Sequence, residues 1–143
     1  MFVIIKGAGD IASGIALRLR HAGFDIVMTD LERPTAIRRT VCFSQAIVNG
    51  SAVVEDVRAR RAESAKEALD IIKGGEIAVL ADERAECVGE LKPDALVDAI
   101  LAKKNLGTKI TDAPVVIGIG PEFTAGEDCH AVVETQRGHY LGR

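Results

Sequence analysis

Close to its amino end the chain reads Gly7-Ala8-Gly9-Asp10-Ile11-Ala12, a G-x-G-x-x-A pattern whose surroundings narrow the fold more than any other feature. Ahead of it, Phe2 to Lys6 is a short apolar run ending at Gly7, the pattern of a strand buried on both faces. Behind it, Ile11, Ala12, Ile15, Ala16, Leu17 and Leu19 recur at mostly helical spacing over Ile11 to Ala22. Arg18, Arg20 and His21 suit the carboxyl end of that helix, and Gly23 supplies a stop. Asp25 to Thr29 is again short and apolar. Strand, glycine turn, helix and strand in such close succession form a βαβ unit with parallel strands and a right-handed crossover.

The alternation continues. Pro34 opens a helix expected over Thr35 to Val48, closed by Asn49 and Gly50. Ala52 to Ala59 is expected to be a third strand. Ser64 to Lys73 is expected to be a helix, with Ser64 as cap, Glu67 at the capping-box spacing and Gly74-Gly75 as terminator. Ile77 to Ala81 reads as a buried fourth strand. Further on, Ala95 to Leu101, Val115 to Ile119 and Ala131 to Thr135 read as strands, with one short helix near Arg84 to Leu91. The expected class is α/β: a Rossmann-like open, mostly parallel sheet with flanking helices. At 143 residues, with no linker or repeat, positions 1–143 are expected to form a single nucleotide-binding domain.

Composition removes several function classes. Eighteen basic and 21 acidic residues leave a net charge of −3, and Trp is absent, so neither the charge nor the stacking platforms of a nucleic-acid binder are present. Apolar runs fall far short of the roughly 20 residues that span a bilayer, so no membrane partner is expected, and the start MFVIIKGAG reads as part of the fold and not as a signal peptide. Cys42, Cys87 and Cys129 are an odd number with no Cys-x-x-Cys pair, which fits a reducing cytoplasm. His21, His130 and His139 lack metal-site spacing, so no metal site is expected, and no hydrolase or Walker motif occurs.

The candidate cofactor-binding residues are Gly7, Ala8, Gly9, Asp10, Ile11, Ala12 and Asp30. Gly7 permits the turn, Gly9 lets backbone approach a pyrophosphate, Ala12 allows close packing of helix on strand, and the amides at the helix start face the phosphates. Asp30, 21 residues beyond Gly9, stands where a carboxylate accepts ribose hydroxyls. Arg33 nearby would instead serve a 2′-phosphate, and in the plainer reading the glycines only turn the chain and Asp30 only ends a strand. Asp10 opposes phosphate binding, because its carboxylate can cap the same amides. Lys6 could offset that charge.

A second polar region gathers Lys103, Lys104, Asn105, Lys109, Thr111 and Asp112 after the strand that contains Asp98. Lysine with carboxylate permits acid/base work, so Lys104, Asp98 and His130 are candidate catalytic residues, beside the plainer readings of a solvated basic loop and a structural histidine. Gly118-Ile119-Gly120-Pro121 is a second glycine-rich strand exit, as consistent with a simple turn as with a cradle.

Lys6-Gly7-Ala8-Gly9-Asp10-Ile11-Ala12-Ser13-Gly14, Arg33-Pro34-Thr35-Ala36-Ile37-Arg38-Arg39-Thr40-Val41 and Ala102-Lys103-Lys104-Asn105-Leu106-Gly107-Thr108 resemble the YqeB family, accessory proteins of selenium-dependent molybdenum hydroxylase systems. The resemblance continues through Ile119-Gly120-Pro121-Glu122-Phe123-Thr124-Ala125-Gly126 to Arg137-Gly138-His139. It implies kinship with the XdhC and CoxF maturation factors, which help insert or modify the molybdenum cofactor of xanthine-dehydrogenase-type enzymes. Such proteins are much longer, so it also implies an amino-terminal part of a larger architecture or a short form.

The function expected from motif and resemblance together is that of a nucleotide-binding maturation protein, acting on or delivering the molybdenum cofactor to a molybdenum hydroxylase client. The bound group would be NAD or another dinucleotide, or the nucleotide of the molybdenum cofactor. The apolar edges of a small sheet also suggest a homodimer. An NAD-dependent oxidoreductase and a non-catalytic nucleotide sensor are the alternatives.

Overall fold

A computed structural model describes residues 1–135. Its opening unit is the expected one: β1 (Phe2–Lys6), α1 (Asp10–His21) and β2 (Asp25–Asp30), with β1 and β2 parallel and Phe2 paired with Asp25.

The next stretch departs from expectation. No helix covers Thr35 to Val48; the segment holds one 3₁₀ turn at Arg39–Val41 and a short helix α2 (Gln45–Asn49). Tertiary partners take amides that a longer helix would have used. The Phe43 amide donates to Ser13 Oγ at 2.9 Å and the Ser44 amide to the Ala8 carbonyl at 3.0 Å. Phe43 is fully buried, with Cys42, Ala46 and Ile47 beside it, while Ile37 is 96% exposed, so a cluster at the carboxyl end of the segment, not a continuous apolar stripe, attaches it.

The single strand expected over Ala52 to Ala59 is two: β3 (Ser51–Val54) and β4 (Val57–Ala62) form an antiparallel hairpin in which Val54 pairs with Val57. The polar pair Glu55-Asp56 makes the two-residue turn, with Glu55 at φ +54°. The remaining elements are α3 (Ala65–Lys73), β5 (Ile77–Ala81), α4 (Cys87–Leu91), β6 (Ala95–Asp98), β7 (Val115–Ile119) and β8 (Ala131–Val133). Ser64 caps α3 as its sequence indicates, its Oγ accepting the Glu67 amide at 3.1 Å. β6 stops at Asp98 and does not run to Leu101: the Ala99 amide makes a last rung to the Lys6 carbonyl, and Leu101 turns to φ +59°.

Among the described residues eight strands form one sheet in the order β3-β4-β5-β2-β1-β6-β7-β8, and every neighbouring pair except β3 with β4 is parallel. From β5 to β8 the chain winds outward from β1 in both directions, the doubly wound order of a Rossmann-like sheet. Successive side chains leave a strand on opposite faces. Val3, Ile5, Ile26 and Met28 therefore pack with Ala12 and Ala16 of α1 and Ile47 of α2. Ile4, Val27 and Leu96 pack with Ala68 and Ile72 of α3 and Val88 of α4. Among the described residues no helix is long and apolar enough to cross a membrane.

Candidate functional site

In an open α/β sheet the ligand crevice lies beyond the carboxyl ends of the strands where the order reverses. Here that point is between β1 and β6, directly beside the glycine loop. The two loop glycines do different work. Gly7 sits at φ +99°, donates its amide to the Thr29 carbonyl at 2.7 Å, and would place a Cβ 2.9 Å from the Ala99 carbonyl oxygen. Its lack of a side chain is demanded by the fold. Gly9, the residue before α1, has φ −72° and ψ −168°, which any residue adopts, and a Cβ there would meet nothing within 4 Å. The fold does not require Gly9 to be glycine, and its position leaves the start of α1 open to approach.

The polar groups around the loop divide similarly. Asp30, at the end of β2, accepts the Ala8 amide through Oδ2 at 3.0 Å and the Leu31 amide through Oδ1 at 2.7 Å. It thus ties the loop to β2, while a carboxylate with about four acceptor positions retains room for ribose hydroxyls. Asp10 accepts the Ile11 amide at 2.9 Å. The Gly9, Asp10 and Ala12 amides are left without an acceptor among the described residues. These are orphan donors of a helix start, carrying the positive end of a 12-residue helix dipole. Beneath the loop, the Cys42 thiol is pushed above its ordinary range, first by burial and then by the carboxylates of Asp10 and Asp30. Beside the end of β2 lies a cleft of about 400 Å³, lined by Arg33, Arg39, Ser44, Ile47 and Arg61, among others. Glycine-loop residues do not line it, and Arg33 does.

On the other face, Lys6 and Asp98 are register partners on adjacent parallel strands, so their side chains emerge side by side. Lys6 Nζ lies 3.7 Å from Asp98 Oδ2, and both side chains are nearly fully buried. Thr108 bridges them, accepting from Lys6 Nζ at 2.7 Å and donating to Asp98 Oδ2 at 2.6 Å. Asn105 holds Thr108 in place: its Oδ1 accepts the Gly107 and Thr108 amides, and its Nδ2 donates to the Thr108 carbonyl at 2.8 Å. The Asn-x-Gly-Thr run carries the turn chemistry for such a loop, but no sequence signal tied Thr108 to Lys6.

The other candidates lie apart. Lys103 and Lys104 are exposed on the loop before Asn105, whereas Asp98 is inside. His130 precedes β8 at the opposite end of the sheet from the glycine loop, and its Nδ1 accepts the Val116 amide at 2.9 Å. Gly118 and Gly120 are glycines for packing and conformation: a Cβ on Gly118 would overlap the Phe123 ring, and Gly120 has φ +119°. Arg137, Gly138 and His139 lie outside the described residues. No cluster of metal-ligating side chains occurs among the described residues.

Comparison with known proteins gives a likeness over nearly the whole chain. A protein of Escherichia coli strain K12, designated "Uncharacterized protein YqeB", is 57% identical over 141 residues, which is 99% of this chain and 26% of that protein. The chain therefore spans about a quarter of the length of the curated relative it matches. No family model and no solved structure matches.

Proposed function

We propose that this chain is a nucleotide-holding module that serves, in a reducing cytoplasm, the maturation of a molybdenum hydroxylase of the xanthine-dehydrogenase type. Its role would be to bind or hand over a nucleotide-bearing cofactor. The observation that carries the binding part is Gly9: a side-chain-free position that the fold does not need, at the head of α1, next to three amides without acceptors. Phosphate oxygens would take those donors, with the helix dipole favouring their charge. Asp30 would accept ribose hydroxyls, and the cleft beside β2 would receive the base, with Arg33 available to a 2′-phosphate. The client enzyme is inferred from the family resemblance read in the sequence.

For an NAD-dependent oxidoreductase, Asp98 is the one candidate acid/base residue beside the crevice, and its carboxylate is already engaged by Thr108. A binding role asks only for what the loop offers, and the sensor reading shares it.

Thermal unfolding with NAD, NADP, FAD and cytidine diphosphate tests the proposal. A ligand at 100 times its dissociation constant should stabilise the chain by about 2.7 kcal/mol. Gly9→Val should remove that shift while leaving the ligand-free midpoint close to wild type. If no member of the panel shifts the midpoint, or if Gly9→Val keeps the shift, the nucleotide site is not here.

A further inference from the structure

We propose a second ligand site on the opposite face of the sheet: a cleft that binds an oxyanion, phosphate or carboxylate, carried by a small molecule. The cleft has a volume of about 350 Å³ and is lined by Lys6, Arg84, Lys109, Gly89, Gly107 and Thr111, among others. It lies at the carboxyl end of β1, across the sheet from α1, and none of Gly7 to Ala12 lines it. The inference therefore does not depend on the glycine loop.

Lys6 is the centre of the argument. The residue is 4% exposed, yet its ammonium has three donors and only Thr108 Oγ1 lies within hydrogen-bond reach, Asp98 being 3.7 Å away. A buried cation with unspent donors on the wall of a cleft favours an acceptor within it. Arg84 and Lys109 add two side chains that make no ion pair or side-chain hydrogen bond among the described residues. Of the acidic lining residues, Asp112 is turned to the Lys109 amide at 2.9 Å, while Glu86 remains as a counter-charge that limits how much negative charge can enter.

Gly89 gives an independent sign. It lies inside α4, where glycine costs roughly 1 kcal/mol relative to alanine, and a Cβ there would meet nothing within 4 Å. Neither backbone conformation nor packing asks for glycine at that position, and its place on the cleft wall leaves room for a ligand. Lysines as compact charges, together with an arginine fork, suit a phosphate or a carboxylate.

Calorimetric titration of the chain with inorganic phosphate, pyrophosphate and malonate, at constant ionic strength and in a Gly9→Val background, separates this cleft from the glycine loop. Saturable binding of at least one anion is expected, and the preferred anion identifies the ligand as phosphorylated or carboxylic. Arg84→Gln and Lys109→Ser, both surface changes, should each weaken binding about tenfold, equivalent to one charge-assisted hydrogen bond. Gly89→Val should block binding, and Gly89→Ala should keep the fold while weakening it. Failure of all three anions to saturate, or wild-type affinity in both charge variants, overturns the proposal. Loss of anion binding caused by Gly9→Val itself would also overturn it, by placing the anion at the glycine loop.

Discussion

Gly7 and Gly9 are indistinguishable as letters in a motif, and the difference between them is a matter of one missing methyl group. At Gly7 that methyl would meet the Ala99 carbonyl at a left-handed φ; at Gly9 it would enter open space. Gly7→Ala should therefore cost about 1–3 kcal/mol of stability in urea unfolding, while Gly9→Ala, at the capping position of α1, should cost less, no more than about 1 kcal/mol. Equal losses at both positions would remove the distinction on which the proposed nucleotide site rests. The motif itself was legible because a strand, a turn and a helix are local objects with local signatures. The partnership of Lys6 with Thr108 was not, because it joins side chains 102 positions apart. Lys6 and Asp98 could each be noticed as polar ends of apolar runs, but only the β1–β6 register makes them neighbours.

Among the elements, those whose signals are self-contained came through. α3 carries a serine cap, an acidic first turn and a double glycine stop, all within one short stretch, and the observed helix uses the cap as expected. Ser64→Ala should lower stability by about 1 kcal/mol, read as a shift of the urea midpoint with an unchanged slope. α2 went the other way. Pro34 and the run after it have acceptable helix chemistry, yet Phe43 and Ser44 spend their amides on Ser13 and Ala8. Tertiary bonds there outweigh propensity, which differs by only a few tenths of a kcal/mol among most residues. The β3–β4 hairpin is hidden for a local reason. Glu55-Asp56 lacks the glycine that usually marks a two-residue turn, and Glu55 accepts the left-handed conformation instead.

For the whole molecule, the buried thiols predict an alkaline limit. Cys87 is pushed up to about 12 from an ordinary 9.0, first by burial and then by the Asp82 carboxylate. The unfolded chain releases this proton first, so the contribution is complete below about pH 9 and is lost as pH climbs toward 12. Urea midpoints at pH 8, 10 and 11 should fall more steeply for wild type than for Cys87→Ala; parallel curves would show that this thiol does not govern the decline. The strand order has a different consequence, one in time. β1 meets β2 after a single helix, whereas its pairing with β6 joins Val3 to Ala95 across most of the polypeptide. Long closures lag behind short ones, so pulse-labelled amides bonded between β1 and β2 should gain protection before those bonded between β1 and β6. The carbonyl that presses against Gly7 belongs to the late-arriving flank. A nascent or half-folded chain would then hold the Gly7 bend through Thr29 alone and would tolerate a methyl group there, so the demand for glycine at that position is imposed only by the last strands to dock.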